Sequence, residues 1–138
     1  MTVSDQFSRR VAIVKESLDG MAGLNFELLE QHLADDAIMV LPFLEVLPPI
    51  KGKRAIVDQT SATMKQMLER MEFTYDAWYD IRDSNTLIAE YHSEATLKDG
   101  RGVYRNQYIT IFEFDGDKIT LYKEFLNPAK VMAAAPPG

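Results

Sequence analysis

Apolar residues recur at helical spacing in three segments of the first half of the chain. The pattern predicts helices over residues 2–18, 26–33 and 55–70. Thr2 and Asp5 are spaced as in a capping box, with Asp where Glu is usual, so the first helix should begin there. Because only a few residues separate the first two helices, we expect them to pack as neighbours.

From Met71 onward the apolar period changes to two, which predicts β-strands over 72–80 and 86–98. Successive side chains of a strand point to opposite faces. One face of the longer strand is mostly apolar and consists of Leu87, Ala89, Tyr91, Ser93, Ala95 and Leu97. The opposite face is largely polar and charged, so the first face should turn towards the core.

Two further runs rich in β-branched and aromatic residues flank a Gly-containing turn at 115–117. This pattern predicts a β-hairpin over 104–126. Asn127 is a suitable N-cap and Pro128 a suitable first helical residue, so a short helix should follow. An earlier apolar run at 37–43 predicts one buried strand between the helices.

Helices therefore come first and antiparallel strands later, an order typical of the α+β class. We expect a cone-shaped, curved antiparallel sheet wrapped around three N-terminal helices. Such an interior is a natural small-molecule site. The length of 138 residues suits one domain over 1–138, with 134–138 as a frayed tail.

Two segments of the chain leave alternatives open. The apolar loop at 44–50, which holds Pro48 and Pro49, could line a pocket mouth or a partner interface, or simply pack against the core. The cations at 51–54 precede the third helix and oppose its dipole, so an anion could bind there. Solvated surface cations explain the same residues.

Composition excludes several classes of function. The chain has no cysteine, which rules out disulfides, thiolate nucleophiles and cysteine metal sites. Its net charge of −6 argues against a nucleic-acid surface. No apolar run is long enough for a signal peptide or a membrane span, so we expect a cytoplasmic protein without a membrane partner. No cofactor motif is present.

Glu124 is the strongest catalytic candidate. It lies on the last strand beside Phe125, and alternation places it on the same face as Thr120 and Tyr122. In an apolar cavity its pKa would rise, which would make it usable as an acid or base near neutrality. The alternative is a surface carboxylate paired with Lys123 or with Arg105 across the sheet.

Other polar side chains should converge on the same interior. The inward register of the hairpin carries Asn106 and Tyr108 with Phe112 and Phe114, and Tyr91 lies on the apolar face of its strand. Each of these polar groups could instead be satisfied by the protein itself and do nothing further. The candidate substrate contacts are Gln59, Thr63, Tyr91, Asn106, Tyr108, Tyr122, Leu41 and Phe43.

His92 is interpreted as a surface or interface residue because Glu90, Glu94 and Lys98 share its strand face. Side chains at i and i+2 on a strand are about 7 Å apart, too wide for one ion without outside ligands, so we predict no metal site. Apolar residues on the outward face, among them Ile88 and Ile109, predict a two-fold homodimer through the sheet.

Three stretches resemble the nuclear-transport-factor-2-like superfamily, in particular its SnoaL-like and ketosteroid-isomerase-like proteins. They are LADDAIMVLP (33–42), IKGKRAI (50–56) and FEFDGDKITLYKEFLNP (112–128). The C-terminal stretch looks most like the phenazine-biosynthesis A/B branch, whose last strand also ends in Glu-Phe-x-Asn-Pro. The resemblance implies that the Glu of that motif, here Glu124, serves as an acid or base in the pocket.

The chain departs from these similar families at several positions. Leu41 stands where ketosteroid isomerases have their proton-shuttling Asp, and Ser17 stands where they have an oxyanion-binding Tyr. Gln59 replaces the pocket His of the phenazine proteins, and Thr63 replaces a Ser. These differences argue against steroid isomerisation and leave the condensation chemistry of the phenazine branch open.

The sequence therefore predicts an acid/base enzyme of isomerase, cyclase or condensation type, acting on a small apolar or aromatic substrate with Glu124 as proton shuttle. The alternative is a non-catalytic ligand-binding or dimerisation domain of the same fold, because this fold hosts many functions. An epoxide hydrolase would need an Asp-Arg-Asp set in the cavity, and Arg54, Arg101 and Arg105 provide none.

Overall fold

The computed structural model describes residues 2–136, apart from the side chain of Val3. The helices are α1 (Val3–Ala22), α2 (Glu27–His32), α3 (Lys53–Met67) and α4 (Pro128–Ala134). The strands are β1 (Leu33–Val40), β2 (Ile50–Lys51), β3 (Leu68–Asp80), β4 (Thr86–Leu97), β5 (Val103–Asp115) and β6 (Lys118–Leu126). A single 3₁₀ turn over Lys98–Gly100 connects β4 to β5.

The N-terminal caps predicted for the first and the last helix are both present. The Thr2 hydroxyl accepts from the Asp5 backbone and the Asp5 carboxylate accepts from the Thr2 backbone, so the predicted capping box is present. The side chain of Asn127 caps α4 by accepting from the Ala129 backbone, and Pro128 is the first helical residue. Helix α1 continues four residues beyond the predicted end, to the cap at Gly23.

The six strands form one curved sheet in the order β2-β1-β6-β5-β4-β3. The predicted α+β class is confirmed. The sheet is mixed rather than wholly antiparallel, because β1 pairs with β6 in the parallel direction. The early strand, predicted over 37–43, spans Leu33–Val40 instead, because the chain becomes extended directly after α2.

Alternation on the central strands follows the predicted pattern. The predicted inward residues of β4, from Leu87 to Leu97, are all buried, as are the even-numbered residues of β5 from Tyr104 to Phe114. Alternation fails once on β6, where Thr120 is the extra residue of a β-bulge and therefore does not share the face of Tyr122 and Glu124. Bulges such as this one bend and twist the strand.

The two ambiguous segments have distinct structures. In the apolar loop Leu44 is buried, whereas Val46 is 88% exposed. The cations at the start of α3 contact surface acids, Lys53 with Asp35 and Arg54 with Glu30. These ion pairs favour the surface-cation interpretation over a dedicated anion site.

The end of the chain is tied to the sheet through α4. Ala134 is buried, and its carbonyl accepts a hydrogen bond of 2.9 Å from Arg101. The predicted frayed tail begins at this residue, and its last two residues, 137 and 138, lie outside the described part. Within residues 2–136 no helix combines the length and hydropathy needed to cross a membrane.

The core can be tested with two isoleucines of opposite burial. Ile119 is fully buried, whereas Ile81 is 36% exposed in the turn after β3. Ile119→Ala should lower the free energy of unfolding by about 2–5 kcal/mol because it leaves a cavity, and Ile81→Ala by less than about 1 kcal/mol. Urea denaturation of both variants measures this difference, and equal losses would contradict the described register of β6.

Candidate functional site

An apolar cavity of about 250 Å³ lies between the helices and the inner face of the sheet. Methionines from four elements line much of its wall: Met21, Met39, Met64, Met67 and Met71. Unbranched thioether side chains adapt to ligands of irregular shape. Gln59, Thr63 and Leu47 are exposed to solvent and also line the cavity, so it reaches the surface beside α3 and the apolar loop.

The carboxyl group of Glu124 lies in this cavity. Its residue is 8% exposed, and the Tyr91 hydroxyl donates to Oε1 over 3.0 Å. The same hydroxyl lies 2.7 Å from Oγ1 of Thr110, the residue opposite Glu124 on β5. Burial raises the pKa of Glu124 to about 7, and the hydrogen bond from Tyr91 opposes the rise.

The two cations that would have paired with Glu124 at the surface, Arg105 and Lys123, make other contacts. The Arg105 guanidinium donates to Glu94 on the outer face of the sheet. The Lys123 ammonium lies 5.6 Å from the centre of the Phe125 ring. No described Lys, Arg or His lines the cavity, so Glu124 has no cationic partner there.

A second group of polar side chains lies on the same wall. The hydroxyls of Ser93 and Tyr108 are 2.8 Å apart, and Tyr108 donates to Tyr104 over 3.2 Å. The Asn106 amide also donates to the Tyr104 hydroxyl, over 2.8 Å. Burial raises the pKa of Tyr104, and the hydrogen bonds from Tyr108 and Asn106 oppose the rise.

Asn106 links this group to the start of α4. Its amide nitrogen donates to the carbonyl of Asn127, and its amide oxygen accepts from the backbone nitrogen of Asn127. The amide oxygen also accepts from the Gln107 backbone. The turn between β6 and α4 is therefore held against β5 by a single buried side chain.

The predicted site residues fall into three groups. Six line the cavity: Glu124, Gln59, Thr63, Leu41, Tyr108 and Tyr122. Tyr91 and Asn106 lie behind its wall and contact the hydroxyl and carboxyl groups that face it. Phe43 does not line the cavity; its ring packs edge to face against Phe125, and the residue is 55% exposed.

Tyr104 is a polar cavity residue that the sequence interpretation missed. It lines the cavity and accepts two hydrogen bonds, yet it lies eight residues before Phe112, near the start of β5. The signal was available, since Tyr104 shares its strand face with Asn106 and Tyr108. The predicted contacts on this face started at Asn106, two residues after Tyr104.

His92, Glu90 and Glu94 on the outer face of the sheet each contact a single neighbouring side chain. His92 lies 2.8 Å from Asp76, Glu90 accepts from Tyr79, and Glu94 accepts from Arg105. In the part of the chain that is described, no three His, Asp or Glu residues are grouped as metal ligands.

Comparison with known proteins gives concordant results. The family model of the SnoaL-like domain matches residues 14–122. The uncharacterized protein YesE of Bacillus subtilis (strain 168) is 31% identical over 102 residues, which are 72% of this chain and 69% of that protein.

Solved structures extend the likeness to the whole fold. A Bacillus subtilis protein with a provisional isomerase assignment is 27% identical, with a TM-score of 0.84 over 94% of each chain. A phenazine biosynthesis-related protein of Pseudomonas aeruginosa is 18% identical, with a TM-score of 0.76 over 100% of this chain and 89% of that one. An epoxide hydrolase of M. tuberculosis is 15% identical, with a TM-score of 0.73 over 93% and 90%. The last two show a common fold alone.

Tyr91→Phe tests the hydrogen bond to the carboxyl group. The Tyr91 hydroxyl stabilises the charged form of Glu124, so its removal should raise the pKa of Glu124 further above about 7. Carboxyl ¹³C chemical shifts of the variant, followed over pH, measure the change. Tyr75→Phe is the control, because the Tyr75 hydroxyl contacts Asp19 instead. An unchanged or lowered pKa in Tyr91→Phe would contradict this geometry.

Proposed function

The chain belongs to the SnoaL-like domain family, and on that premise we propose that it is an acid/base enzyme in which Glu124 moves a proton on a small, largely apolar or aromatic molecule. The observation that carries the proposal is a buried carboxyl group in an apolar cavity with a pKa of about 7. Such a group is present in both protonation states near neutral pH, as a proton shuttle requires.

The surroundings of Glu124 favour proton transfer over a purely structural role. A structural buried acid is normally paired with a cation, because an unpaired buried charge costs free energy. Glu124 has one neutral hydrogen-bond donor, Tyr91, and faces an open cavity. Raised carboxyl pKa values in clefts are typical of catalytic sites, although structural groups show them too.

The reaction types that suit this site are isomerisation, cyclisation and condensation, since each moves a proton to or from carbon without a nucleophile of the protein. Leu41 lines the cavity where ketosteroid isomerases carry an Asp, and its side chain cannot take a proton, so steroid isomerisation is not proposed. Epoxide hydrolysis by an Asp-Arg-Asp set is not supported either, because no Arg is among the described cavity residues.

A non-catalytic binding domain is the second candidate. The observation that favours it is the methionine-rich wall, which would accommodate an apolar ligand without any chemistry. Binding alone does not require a carboxyl group that titrates near neutrality. Loss of Glu124 would therefore affect a binding protein much less than an enzyme.

Proton exchange at carbon distinguishes the two candidates. The protein is incubated in D₂O with a panel of small bicyclic ketones, and deuterium uptake next to the carbonyl is followed by mass spectrometry. Glu124→Gln should slow uptake by about 10²–10⁴-fold, because it removes the general base. Glu113→Gln, an exposed neighbour on β5, should exchange like the wild type. Equal rates in Glu124→Gln, or no uptake above buffer with any ketone, would favour the binding domain.

Homodimerisation through the outer face of the sheet is the second part of the proposal. Val103 and Ile109 on β5 are 52% and 48% exposed, and Tyr79 on β3 is 47% exposed. Ile88 and Ile111, which pair across β4 and β5, are half-buried on the same face. Covering this patch with a second copy would stabilise the dimer by roughly 25 cal/mol per Å² of apolar surface buried.

Ile109→Lys tests the dimer interface. A buried cation at the centre of the patch should give a monomer in sedimentation at micromolar concentration, where the wild type should sediment as a dimer. Val46→Lys is the matched control, since Val46 is 88% exposed in the apolar loop and should leave the dimer intact. A monomeric wild type would contradict this part of the proposal.

A further inference from the structure

The hydroxyl of Tyr104 has a proton that is not donated to any residue in the described part of the chain. Its oxygen accepts one hydrogen bond from the Asn106 amide over 2.8 Å and another from the Tyr108 hydroxyl over 3.2 Å. A phenol has one O–H donor in addition to its acceptor lone pairs. Among the described residues, none accepts a hydrogen bond from Tyr104.

The direction of both bonds follows from the neighbours. The amide of Asn106 cannot be reversed, because its oxygen accepts from the Asn127 backbone nitrogen and its nitrogen donates to the Asn127 carbonyl. The group that faces Tyr104 is therefore the NH₂ group, which can only donate. Tyr108 spends its single proton on Tyr104, so the 2.8 Å contact between Ser93 and Tyr108 is donated by Ser93.

The two hydrogen bonds that Tyr104 accepts make its O–H group a stronger donor than the same buried hydroxyl would be without them. Each hydrogen bond that a hydroxyl accepts polarises its own O–H group, and the effect is larger away from water. Tyr104 is 8% exposed and lines the same cavity as Glu124. A buried donor without an acceptor is costly, and a ligand that supplies the acceptor recovers that cost.

We infer that Tyr104 donates a hydrogen bond to an oxygen of the ligand, and that the ligand is a neutral, otherwise apolar carbonyl compound. The inference rests on the small-molecule site proposed above. It gives the ligand a second polar contact, with Tyr104, in addition to the one with Glu124. An anionic ligand would find no cation among the described cavity residues. An ammonium ligand would pair with Glu124 but would offer no acceptor to Tyr104.

In a proton transfer next to the carbonyl, the two residues have complementary roles. The Glu124 carboxylate would take the proton from carbon, the electron pair of that C–H bond would form a C=C bond to the carbonyl carbon, and the π pair of the C=O bond would move to the oxygen. The negative charge that develops there would strengthen the hydrogen bond from Tyr104. The proton then returns from Glu124 to carbon, so no further reactant is needed.

Two probes that differ only in the carbonyl group, the ketone 1-indanone and the hydrocarbon indane, test this inference. Tyr104→Phe should weaken binding of 1-indanone by roughly three- to tenfold and leave indane unchanged, because one neutral hydrogen bond is lost. The carbonyl stretching frequency of bound 1-indanone should be higher in Tyr104→Phe than in the wild type. Calorimetry and infrared difference spectroscopy give these readouts.

Two further variants serve as controls. Tyr108→Phe removes an equally buried hydroxyl whose proton is spent within the protein, so it should weaken ketone binding less than Tyr104→Phe does. Tyr75→Phe, whose hydroxyl contacts Asp19 outside the cavity lining, should bind both probes like the wild type.

The remaining outcomes would reject the role of Tyr104, or both that role and the proposed function. Equal losses for ketone and hydrocarbon in Tyr104→Phe would mean that Tyr104 only shapes the cavity. Unchanged ketone binding and carbonyl frequency in Tyr104→Phe, together with exchange that still depends on Glu124, would reject the role of Tyr104 and leave the proposed function standing. No binding of either probe to the wild type at millimolar concentration would reject both.

Discussion

The Glu124 carboxyl group is buried in an apolar cavity whose described lining residues include no cation, and the chemistry proposed for the protein depends on that constraint. Removal from water favours the neutral acid, whereas the hydrogen bond from Tyr91 favours the carboxylate. The balance gives a pKa of about 7. A salt bridge at this position would lower the pKa and hold the side chain in place, and the cavity would then lose its reactive group.

Strand pairing explains how the polar groups reach one wall of an otherwise apolar core. Glu124 lies opposite Thr110, Tyr108 lies opposite Tyr91, and Asn106 lies opposite Ser93, so three adjacent strands contribute to one strip. Neighbouring strands are only about 5 Å apart, which lets hydroxyl and carboxyl groups bond across the ladder. The hydroxyl proton of Tyr104, at the end of this strip, has no acceptor among the described residues, and in this account the ligand accepts it.

The sequence predicted the parts of the structure that depend on local periodicity. The helices, the inward faces of β4 and β5 and both helix caps were predictable, because each follows from a repeat or from a capping residue. The parallel pairing of β1 with β6 was not, since these strands are some 80 residues apart and nothing local specifies their partners. The bulge at Thr120 interrupts a regular alternation without a Gly or Pro to mark it.

The candidate site was predictable to a similar extent. A carboxylate among aromatic residues on a strand indicated Glu124, but whether its face was buried depended on the register of three strands. Phe43 follows an apolar strand and yet packs outside the cavity, because the chain turns after Val40. Arg10 is buried against the Phe114 ring, which the charged character of its helix did not indicate.

The pH dependence of stability in Glu124→Gln, compared with the wild type, tests the central claim most directly. A carboxyl group with a pKa of about 7 when folded and 4.5 when unfolded makes the folded state bind more protons between these values, so wild-type stability falls as pH rises through this window. Glutamine does not titrate, and its Oε1 can still accept from Tyr91. The free energy of unfolding of Glu124→Gln should therefore increase relative to the wild type by about 2–3 kcal/mol between pH 5 and pH 8. A difference that stays constant over this range would show that Glu124 titrates as an ordinary surface acid and would contradict the account.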